Sequence, residues 1–253
     1  MEPATVGTSF HDYFQARLAT TLKEREAAYR LRYAVYCREF GYEREEDCVN
    51  GMERNGYEEQ AIHCLLVHKA TNTTAGCVRL VLTEPGHPDR PLPFEKACGH
   101  SLDRERMDPA AMPRDRIGEI SRLAVHSCFR RRSHENEFPA GLPRFHRISA
   151  SERRHFPYLS LGLYLAAAAI GLLAGLEGVF AMMEPRLARH LVRYGIGFEQ
   201  VGALIDYHGP RAPFYISRDM LLANLKPETR VLLETVREDL EPQAQRARLV
   251  RVH

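Results

Sequence analysis

The chain has 253 residues, of which 44% are hydrophobic and 27% charged, and its formal net charge is +2. This length and composition are typical of a globular protein with a sizeable core, and we find no internal repeat or low-complexity segment. The nearly balanced charge argues against a protein that coats nucleic acid.

Cysteine usage and the first residues of the chain favour a cytoplasmic protein. The six cysteines, at positions 37, 48, 64, 77, 98 and 128, form no C-x-x-C pair, and no His/Cys cluster has zinc-finger spacing. We therefore expect reduced, mostly buried thiols and no metal site. Residues 1–21 lack the basic and apolar regions of a secretory signal.

The first part of the chain is predicted to fold as a strand, a helix and a hairpin. Phe14, Ala16 and Leu18 alternate with polar residues, which predicts a strand. From residue 22 apolar side chains recur every three or four positions, which predicts a helix that ends near Gly41. Two strand-like runs, 61–70 and 76–83, flank the short polar segment TNTTA, which predicts a hairpin.

The remainder alternates long excursions with further strands and helices. The predicted segments are an excursion at about 84–115, a strand at 117–125, an excursion at about 129–157, a helix at 158–176, a strand at 177–185, a helix at 186–194, short strands at 197–204 and 211–221, and a C-terminal helix and basic tail at about 219–253. The segment 158–176 is uncharged and just reaches the length of a membrane span, but its alanines and glycines favour a buried helix against a sheet. This order predicts one mixed α/β domain over residues 1–253.

Charged residues inside the apolar stretches are the most informative feature. Arg32 lies in the first helix, Arg79 in the hairpin and Arg122 in the strand at 117–125. Because burying a charge is costly unless it is paired or used, we expect either separate salt bridges or one polar cluster that lines a cleft. Glu119 and Arg122 are three positions apart, so they share a face of the sheet only if a β-bulge lies between them.

Four blocks resemble, in order, those of a known family. They are RLRYAVYCREFGY, ERNGYEEQAIHCLLV, GCVRLVLT and GEISRLAV. Together they look like the acyl-homoserine-lactone synthase family, and more closely its relatives, the N-acyl amino acid synthases and the acyltransferases associated with the PEP-CTERM/exosortase system. The resemblance covers roughly residues 14–125. Further on, FAMMEPRLARHLVRYGIGFEQVG resembles the second half of the GNAT acyltransferase fold, a central mixed twisted sheet flanked by helices.

The resemblance implies a set of site residues. The family's substrate-binding positions fall on Arg32, Tyr36, Tyr42, Asn55, Glu58 and Arg79, and its Glu-x-x-Arg pair falls on Glu119 and Arg122. Asn55 stands where the family has an aspartate, and Tyr42 stands where lactone synthases usually have tryptophan. The loss of one negative charge weakens the reading as a lactone synthase that uses S-adenosylmethionine.

A second departure concerns the acyl donor. GNAT enzymes that use coenzyme A usually follow this strand with a glycine-rich turn that holds the pyrophosphate, and FRRRSHENEF has no such glycines. An acidic acyl carrier protein needs basic docking residues instead, and Arg130, Arg131 and Arg132 are predicted to supply them. The alternative is a solvated loop with no such role.

The implied chemistry is acyl transfer from a thioester to an amine. Glu119 is the predicted base, with a pKa raised by burial and opposed by Arg122. The backbone N–H groups of Leu123 and Ala124 are the predicted oxyanion donors if the sheet splays there. The three arginines either bind the carboxylate of an amino acid or brace the loop that holds Glu58. The helix at 158–176 either walls an acyl-chain tunnel or only packs the core.

The sequence thus predicts an N-acyltransferase that joins a fatty acyl group, carried by an acyl carrier protein or coenzyme A, to an amino acid-like amine. The expected donor group is acyl-phosphopantetheine, with no tightly bound cofactor and no metal. We expect no nucleic-acid partner and no membrane span, and peripheral contact with a membrane is compatible with the sequence. The alternatives are an acyl-homoserine-lactone synthase and a non-catalytic sensor of acyl carriers or lipids.

Overall fold

The fold is built on a mixed β-sheet in a computed structural model that describes residues 10–84, 86–87, 89–130 and 149–249. Eight strands occur in these residues: β1 Phe14–Leu18, β2 Ala61–His68, β3 Thr73–Leu82, β4 Ile117–Val125, β5 Gly178–Met183, β6 Glu199–Gln200, β7 Ile205–Asp206 and β8 Pro210–Ser217. Their order in the sheet is β1-β2-β3-β4-β5-β8-β6, with β7 paired to β8. The pairing of β4 with β5 is parallel and the other pairings are antiparallel.

Helices cover both faces of the sheet. They are α1 Leu22–Arg32, α2 Pro93–Cys98, α3 Ala150–Arg153, α4 Leu159–Leu173, α5 Pro185–Leu191, α6 Arg218–Asn224 and α7 Pro227–Arg246. A capping box between Thr21 and Glu24 fixes the start of α1, which continues into a π-helical turn, Tyr33–Glu39. Gly41 then reverses the chain in a left-handed conformation, which glycine adopts without strain.

The larger part of the core lies between the sheet and the apolar helix α4. Helix α4 packs against β2, β3 and β4 on one side and against α7 on the other, whereas α1 packs on the opposite face of the same strands. The segment Ser151–Leu173 is long and apolar enough to cross a membrane, but most of it is buried inside the protein. This arrangement is the one predicted from the sequence, a buried helix packed against a sheet.

The predicted α/β class and order of elements are confirmed, and two boundaries are wrong. Strand β3 begins at Thr73, inside the segment predicted to be a turn, because the polar residues there pair with the end of β2. Residues 218–221 were predicted to continue a strand but are helical, because the Ser217 side chain accepts the N–H of Met220 and starts α6. Residues 131–148 of the second predicted excursion lie outside the described residues.

Helix α7 also covers the outer edge of β1. The carboxylate of Asp239 accepts the Ala16 N–H at 2.9 Å, and the amide oxygen of Gln243 accepts the Leu18 N–H at 2.9 Å. These side chains replace the neighbouring strand that an edge strand lacks, and so they keep β1 from pairing with another chain.

Candidate active site

A β-bulge in the middle of β4 organises the charged residues. Cys77 of β3 pairs with Ala124, but Arg79, two residues on, pairs with Ser121, so two residues of β4 face one residue of β3. Arg122 lies in this bulge with a φ of 53°, in the left-handed region that costs free energy for a residue with a side chain. The bulge expected from the spacing of Glu119 and Arg122 is therefore present.

The bulge directs Arg122 toward α1, where it joins a network of buried ion pairs. Its Nε donates to Glu53 at 3.1 Å and its Nη2 donates to Glu43 at 2.7 Å. Arg32, which is completely buried, donates to the other oxygen of Glu53 and to Glu58 at 3.2 Å. Burial tends to raise the pKa of Glu53, but Arg32 and Arg122 outweigh this and hold it below its ordinary value.

Arg79 occupies the centre of this network without a close carboxylate of its own. Its guanidinium donates to Asn55 Oδ1 at 2.6 Å and to Ser121 Oγ at 3.1 and 3.2 Å, while Glu58 Oε1 is 3.6 Å away. Burial, with the nearby charges of Arg32 and Arg122, lowers the pKa of Arg79 to about 10. The Asn55 side chain thus contacts Arg79 as a neutral acceptor.

Glu119 is the one carboxylate of this region with a raised pKa. Its side chain is 3% exposed, and its Oε2 accepts the Phe94 N–H at 2.6 Å. Burial raises the pKa of Glu119 to about 7, although the Phe94 N–H, Arg79 and Arg122 oppose the shift. Across the described part of the chain it makes no direct ion pair, so its proton can exchange near neutral pH.

Strands β4 and β5 separate immediately beyond Glu119. Their parallel register ends where Ile120 pairs with Ala181, and both strands continue past this point. In the separated part of β4 the Tyr36 hydroxyl donates to the Leu123 carbonyl at 2.7 Å. Burial raises the pKa of Tyr36 to about 12, so the hydroxyl keeps its proton. The strands therefore splay beside Leu123, whereas Ala124 still pairs with Cys77 of β3, so its N–H faces β3 and not the opening.

An apolar cavity lies between the sheet and α4, and its lining includes Ile120, the last residue of β4 that pairs with β5. It encloses about 490 Å³ including its open mouth, but only about 40 Å³ of this admits the centre of a water molecule, so the cavity is narrow. Its walls come from α4, from β4, β5 and β8, and from the segment after α5. They include Ile120, Tyr164, Ala168, Gly171, Val179 and Phe198. A slim apolar chain fits such a space better than a bulky or polar group does.

The β7–β8 hairpin contributes residues that the sequence did not predict. His208 stacks on Tyr42, with ring centroids 4.9 Å apart, and the guanidinium carbon of Arg211 lies 5.6 Å from the centre of the Tyr42 ring. Tyr207 lies near enough to Arg122 to affect its pKa. Glu43, on the loop after α1, was also missed. These partners are far apart along the chain, and no local pattern marks them.

The predicted carrier-docking arginines are described only in part. Arg130 donates to the Val125 carbonyl at 2.8 Å and pairs with Glu39, so its charge is already engaged. Arg131 and Arg132 lie outside the described residues. The nearest basic surface that the structure describes is on α5, where Arg186, Arg189 and His190 are exposed.

Comparison with known proteins identifies the class of this fold. Residues 31–137 match the acetyltransferase (GNAT) domain family. Among solved structures, TofI, in a ternary complex with an inhibitor and MTA, is 19% identical with a TM-score of 0.58, and the match covers 85% of this chain and 99% of that one. No curated protein matches the sequence.

Two further structures carry named activities. The acyl-homoserine-lactone synthase LasI is 15% identical with a TM-score of 0.55, over 85% of this chain and 97% of its own. FeeM, an N-acyl amino acid synthase from uncultured soil microbes, is also 15% identical with a TM-score of 0.55, over 84% of this chain and 94% of its own. The predicted GNAT-type fold is confirmed, and the matches support the prediction of an acyltransferase.

Proposed function

We propose that this protein is an N-acyltransferase that moves a fatty acyl group from a phosphopantetheine thioester to the amine of an amino acid-like acceptor. The observation that carries the proposal is the position of Glu119. It is a buried carboxylate with a pKa of about 7 at the point where β4 and β5 separate, with a narrow apolar cavity on the other face of the sheet. A base, an opening in the sheet and a chain-binding cavity are the parts that such a transfer needs.

Proton transfer to Glu119 is the first step of the proposed reaction. An ammonium group must lose a proton before its nitrogen can attack, and Glu119 accepts it. The nitrogen then bonds to the thioester carbon, and the negative charge on the carbonyl oxygen is held by the N–H group of Leu123. When the C–S bond breaks, the second proton lost by the nitrogen passes to the thiolate, and the products are an amide and a thiol.

The charge balance around Glu119 favours a cationic amine there. Arg32, Arg79 and Arg122 are offset by three carboxylates, Glu43, Glu53 and Glu58, and the pKa values of the last two are lowered. Ionised Glu119 then adds one unmatched negative charge, which an ammonium group would neutralise. In this proposal the three arginines and Tyr36 shape the pocket and brace its loop, while Tyr42 and Asn55 face the acceptor.

The apolar cavity is the proposed site of the acyl chain. Ala168 and Gly171 present small side chains to it from α4, which leaves room that larger residues would fill. The chain would enter between β4 and β5, so that its thioester carbonyl stays next to Glu119. This arrangement gives α4 both of the roles considered from the sequence, as a core helix and as a cavity wall.

An acyl carrier protein is the proposed donor. Arg186, Arg189, His190 and Arg193 are exposed on α5 and the turn after it, and none of them has a carboxylate partner among the described residues. Ile196 and Phe198, which line the cavity, follow directly along the chain. A basic surface at the mouth of an apolar cavity suits an acidic carrier that delivers a fatty chain. Coenzyme A thioesters remain the alternative donor.

The decisive experiment is an assay with acyl carrier and acyl-CoA thioesters and a pool of amino acids, read by mass spectrometry. An acyl amide is expected. A lactone formed from S-adenosylmethionine would replace the proposal by the lactone-synthase alternative, and the absence of any product with all donors would favour the sensor. The cytoplasmic location, the single-domain organisation and the link to the PEP-CTERM/exosortase system stay predictions, the last of which is tested by the gene neighbourhood.

A further inference from the structure

Arg211 lies near the candidate active site and has no counterion among the residues that the structure describes. It lies at the start of β8, opposite Ile205 of β7. Its Nε is buried and has no hydrogen-bond partner, and within the described residues no carboxylate is at ion-pair distance from its guanidinium. A partly buried guanidinium without an acidic partner is costly, so its retention needs a reason outside the chain's own ion pairs.

The surroundings of Arg211 place it beside the opening between β4 and β5. Its guanidinium carbon is 5.6 Å from the centre of the Tyr42 ring, and the Tyr42 ring is 6.3 Å from that of Tyr36. The Tyr36 hydroxyl in turn contacts Leu123 in the separated part of β4. Arg211 also opposes the rise in the pKa of Tyr164 caused by burial, so its charge acts on a residue that lines the apolar cavity.

The other arginines of the region are engaged. Arg32 and Arg122 pair with carboxylates, and Arg79 is held by Asn55 and Ser121 with Glu58 nearby. An anionic substrate group among them would compete with carboxylates already in place. Arg32 also keeps one unpartnered donor, Nη1, but its charge is matched by Glu53 and Glu58, whereas the positive charge of Arg211 is unmatched among the described residues.

We propose that Arg211 binds the carboxylate of the acceptor and so makes the enzyme select free amino acids over neutral amines. This inference rests on the proposed function and names the substrate class of the same site. A guanidinium matches a carboxylate with two parallel hydrogen bonds, and it fixes orientation as well as charge. With the carboxylate on Arg211, the adjacent amine would point toward Glu119.

The phosphate of the donor is the other anion that Arg211 could bind. The distance between this phosphate and the reacting carbonyl argues against that role. In an amino acid the carboxylate is separated from the amine by a single carbon, so its binding group must lie close to the reacting carbonyl. The phosphate is separated from the same carbonyl by the whole pantetheine arm. The Arg211 guanidinium carbon lies 5.6 Å from the centre of the Tyr42 ring, and its charge acts on Tyr164, which lines the cavity, so its position fits the nearer group.

The test compares two acceptor pools, the standard amino acids and their carboxamides, each with an octanoyl carrier thioester and with octanoyl-CoA. Wild-type enzyme is expected to acylate the acids at least tenfold faster than the carboxamides. In Arg211→Gln, KM for the acids should rise by about 10- to 100-fold, as expected for a lost charge-assisted hydrogen bond, while the rate with carboxamides stays the same. Arg211→Lys should recover part of the preference.

The matched control is Arg104→Gln, because Arg104 is exposed and pairs with Asp108 on the loop between α2 and β4. If Arg211→Gln keeps the preference for acids, or if wild-type enzyme accepts both pools equally, the inference is overturned and the proposed function stands. If Arg211→Gln raises KM for the donor instead, the phosphate is the bound group and the inference is again wrong. If wild-type enzyme acylates neither pool, the proposed function itself fails.

Discussion

Glu119 has a pKa that determines how the proposed reaction should depend on pH. Burial raises this pKa to about 7, against the opposing N–H of Phe94 and the charges of Arg79 and Arg122. A general base acts only when deprotonated, so kcat/KM for the acceptor should rise about tenfold per pH unit below pH 7 and level off above it. Initial rates of amide formation measured across this range check the prediction.

Substitution of Glu119 tests whether this residue, and not another titrating group, causes the pH dependence. Glu119→Gln keeps the shape and an oxygen for the Phe94 N–H, and it should lower kcat by roughly 10²- to 10⁴-fold and abolish the rise near pH 7. Glu177→Gln is the control, because Glu177 is partly exposed and pairs only with Arg116. Near-normal turnover of Glu119→Gln would remove this residue from the mechanism.

The same buried carboxyl should make stability depend on pH. Its folded pKa of about 7 lies above the ordinary value of 4.5, so the stability it contributes is complete below pH 4.5 and is lost as pH rises through 7. The free energy of unfolding is therefore expected to fall by about 3 kcal/mol over this pH range. Glu119→Gln should therefore stabilise the protein more at pH 9 than at pH 5, by urea unfolding at both values. An equal effect at both pH values would mean that Glu119 is ionised without penalty.

At the scale of residues, the sequence predicted which charges meet but not how all of them are satisfied. The spacing of Glu119 and Arg122 required a bulge, and the bulge is present because Arg122 adopts a left-handed conformation. Glu43 and Arg211 were not predicted, because a partner supplied by a distant loop leaves no trace in local spacing. Polar pairing across the fold depends on tertiary structure, which a strand pattern does not encode.

At the scale of elements, helix α4 should set the length of the acyl chain. A methyl group on Gly171 would lie 3.8 Å from Leu176 and 3.9 Å from Val179, which is ordinary contact. Gly171→Ala should therefore leave the chain-length preference unchanged and stabilise the helix by up to about 1 kcal/mol. Gly171→Leu should fill the cavity and shift the preference to shorter chains, measured by competition among carrier thioesters.

Thermal unfolding of both variants serves as the control for this pair. A Gly171→Leu protein that folds normally and still prefers the same chain as wild type would place the acyl group outside this cavity. A Gly171→Ala protein with a changed preference would show that even one methyl group reaches the bound chain.

The elements themselves were largely predictable because their patterns are local. Alternation in β1 and the apolar stretch of α4 each specify one structure. The errors lie where two signals compete: the polar residues Thr73 and Thr74 pair with β2, and Ser217 starts a helix within an apolar run. In both places a contact, and not the residue pattern, decides the boundary.

At the scale of the whole molecule, the cover that α7 provides for β1 should matter for both stability and association. Asp239→Ala with Gln243→Ala removes two acceptors of backbone N–H groups, at Ala16 and Leu18. We expect a loss of about 1–3 kcal/mol in the free energy of unfolding. The uncovered edge should also make the protein self-associate with increasing concentration, as measured by light scattering.

Glu238→Ala is the matched control for the edge, since Glu238 is exposed on the same helix, one residue before Asp239. It should leave both stability and association unchanged. If the double variant unfolds at the same urea concentration as wild type and stays monodisperse, water satisfies the edge of β1 equally well and the cover has no such role.

The basic surface of α5 leads to a prediction about recognition of the whole donor. Arg186, Arg189 and Arg193 are exposed on α5 and the turn after it, shortly before Ile196 and Phe198 of the cavity lining, and the neighbouring Val192 is 56% exposed. Attraction between separated surface charges is screened by salt, so KM for the carrier thioester should rise steeply between low and physiological ionic strength. Changing the three arginines to glutamate should raise that KM more than tenfold at low salt and remove its salt dependence.

A short thioester without a carrier shows whether the substitutions on α5 impair docking of the carrier or damage the active site. The octanoyl thioester of pantetheine carries no acidic surface, so the charge-reversed protein should turn it over as wild type does. Arg104→Glu with Arg106→Glu, on a loop between α2 and β4, is the control for charge reversal elsewhere on the surface. If the carrier thioester binds the α5 variant as well as the wild type at low salt, the carrier docks elsewhere. The arginines at 130–132 would then be the next surface to reverse.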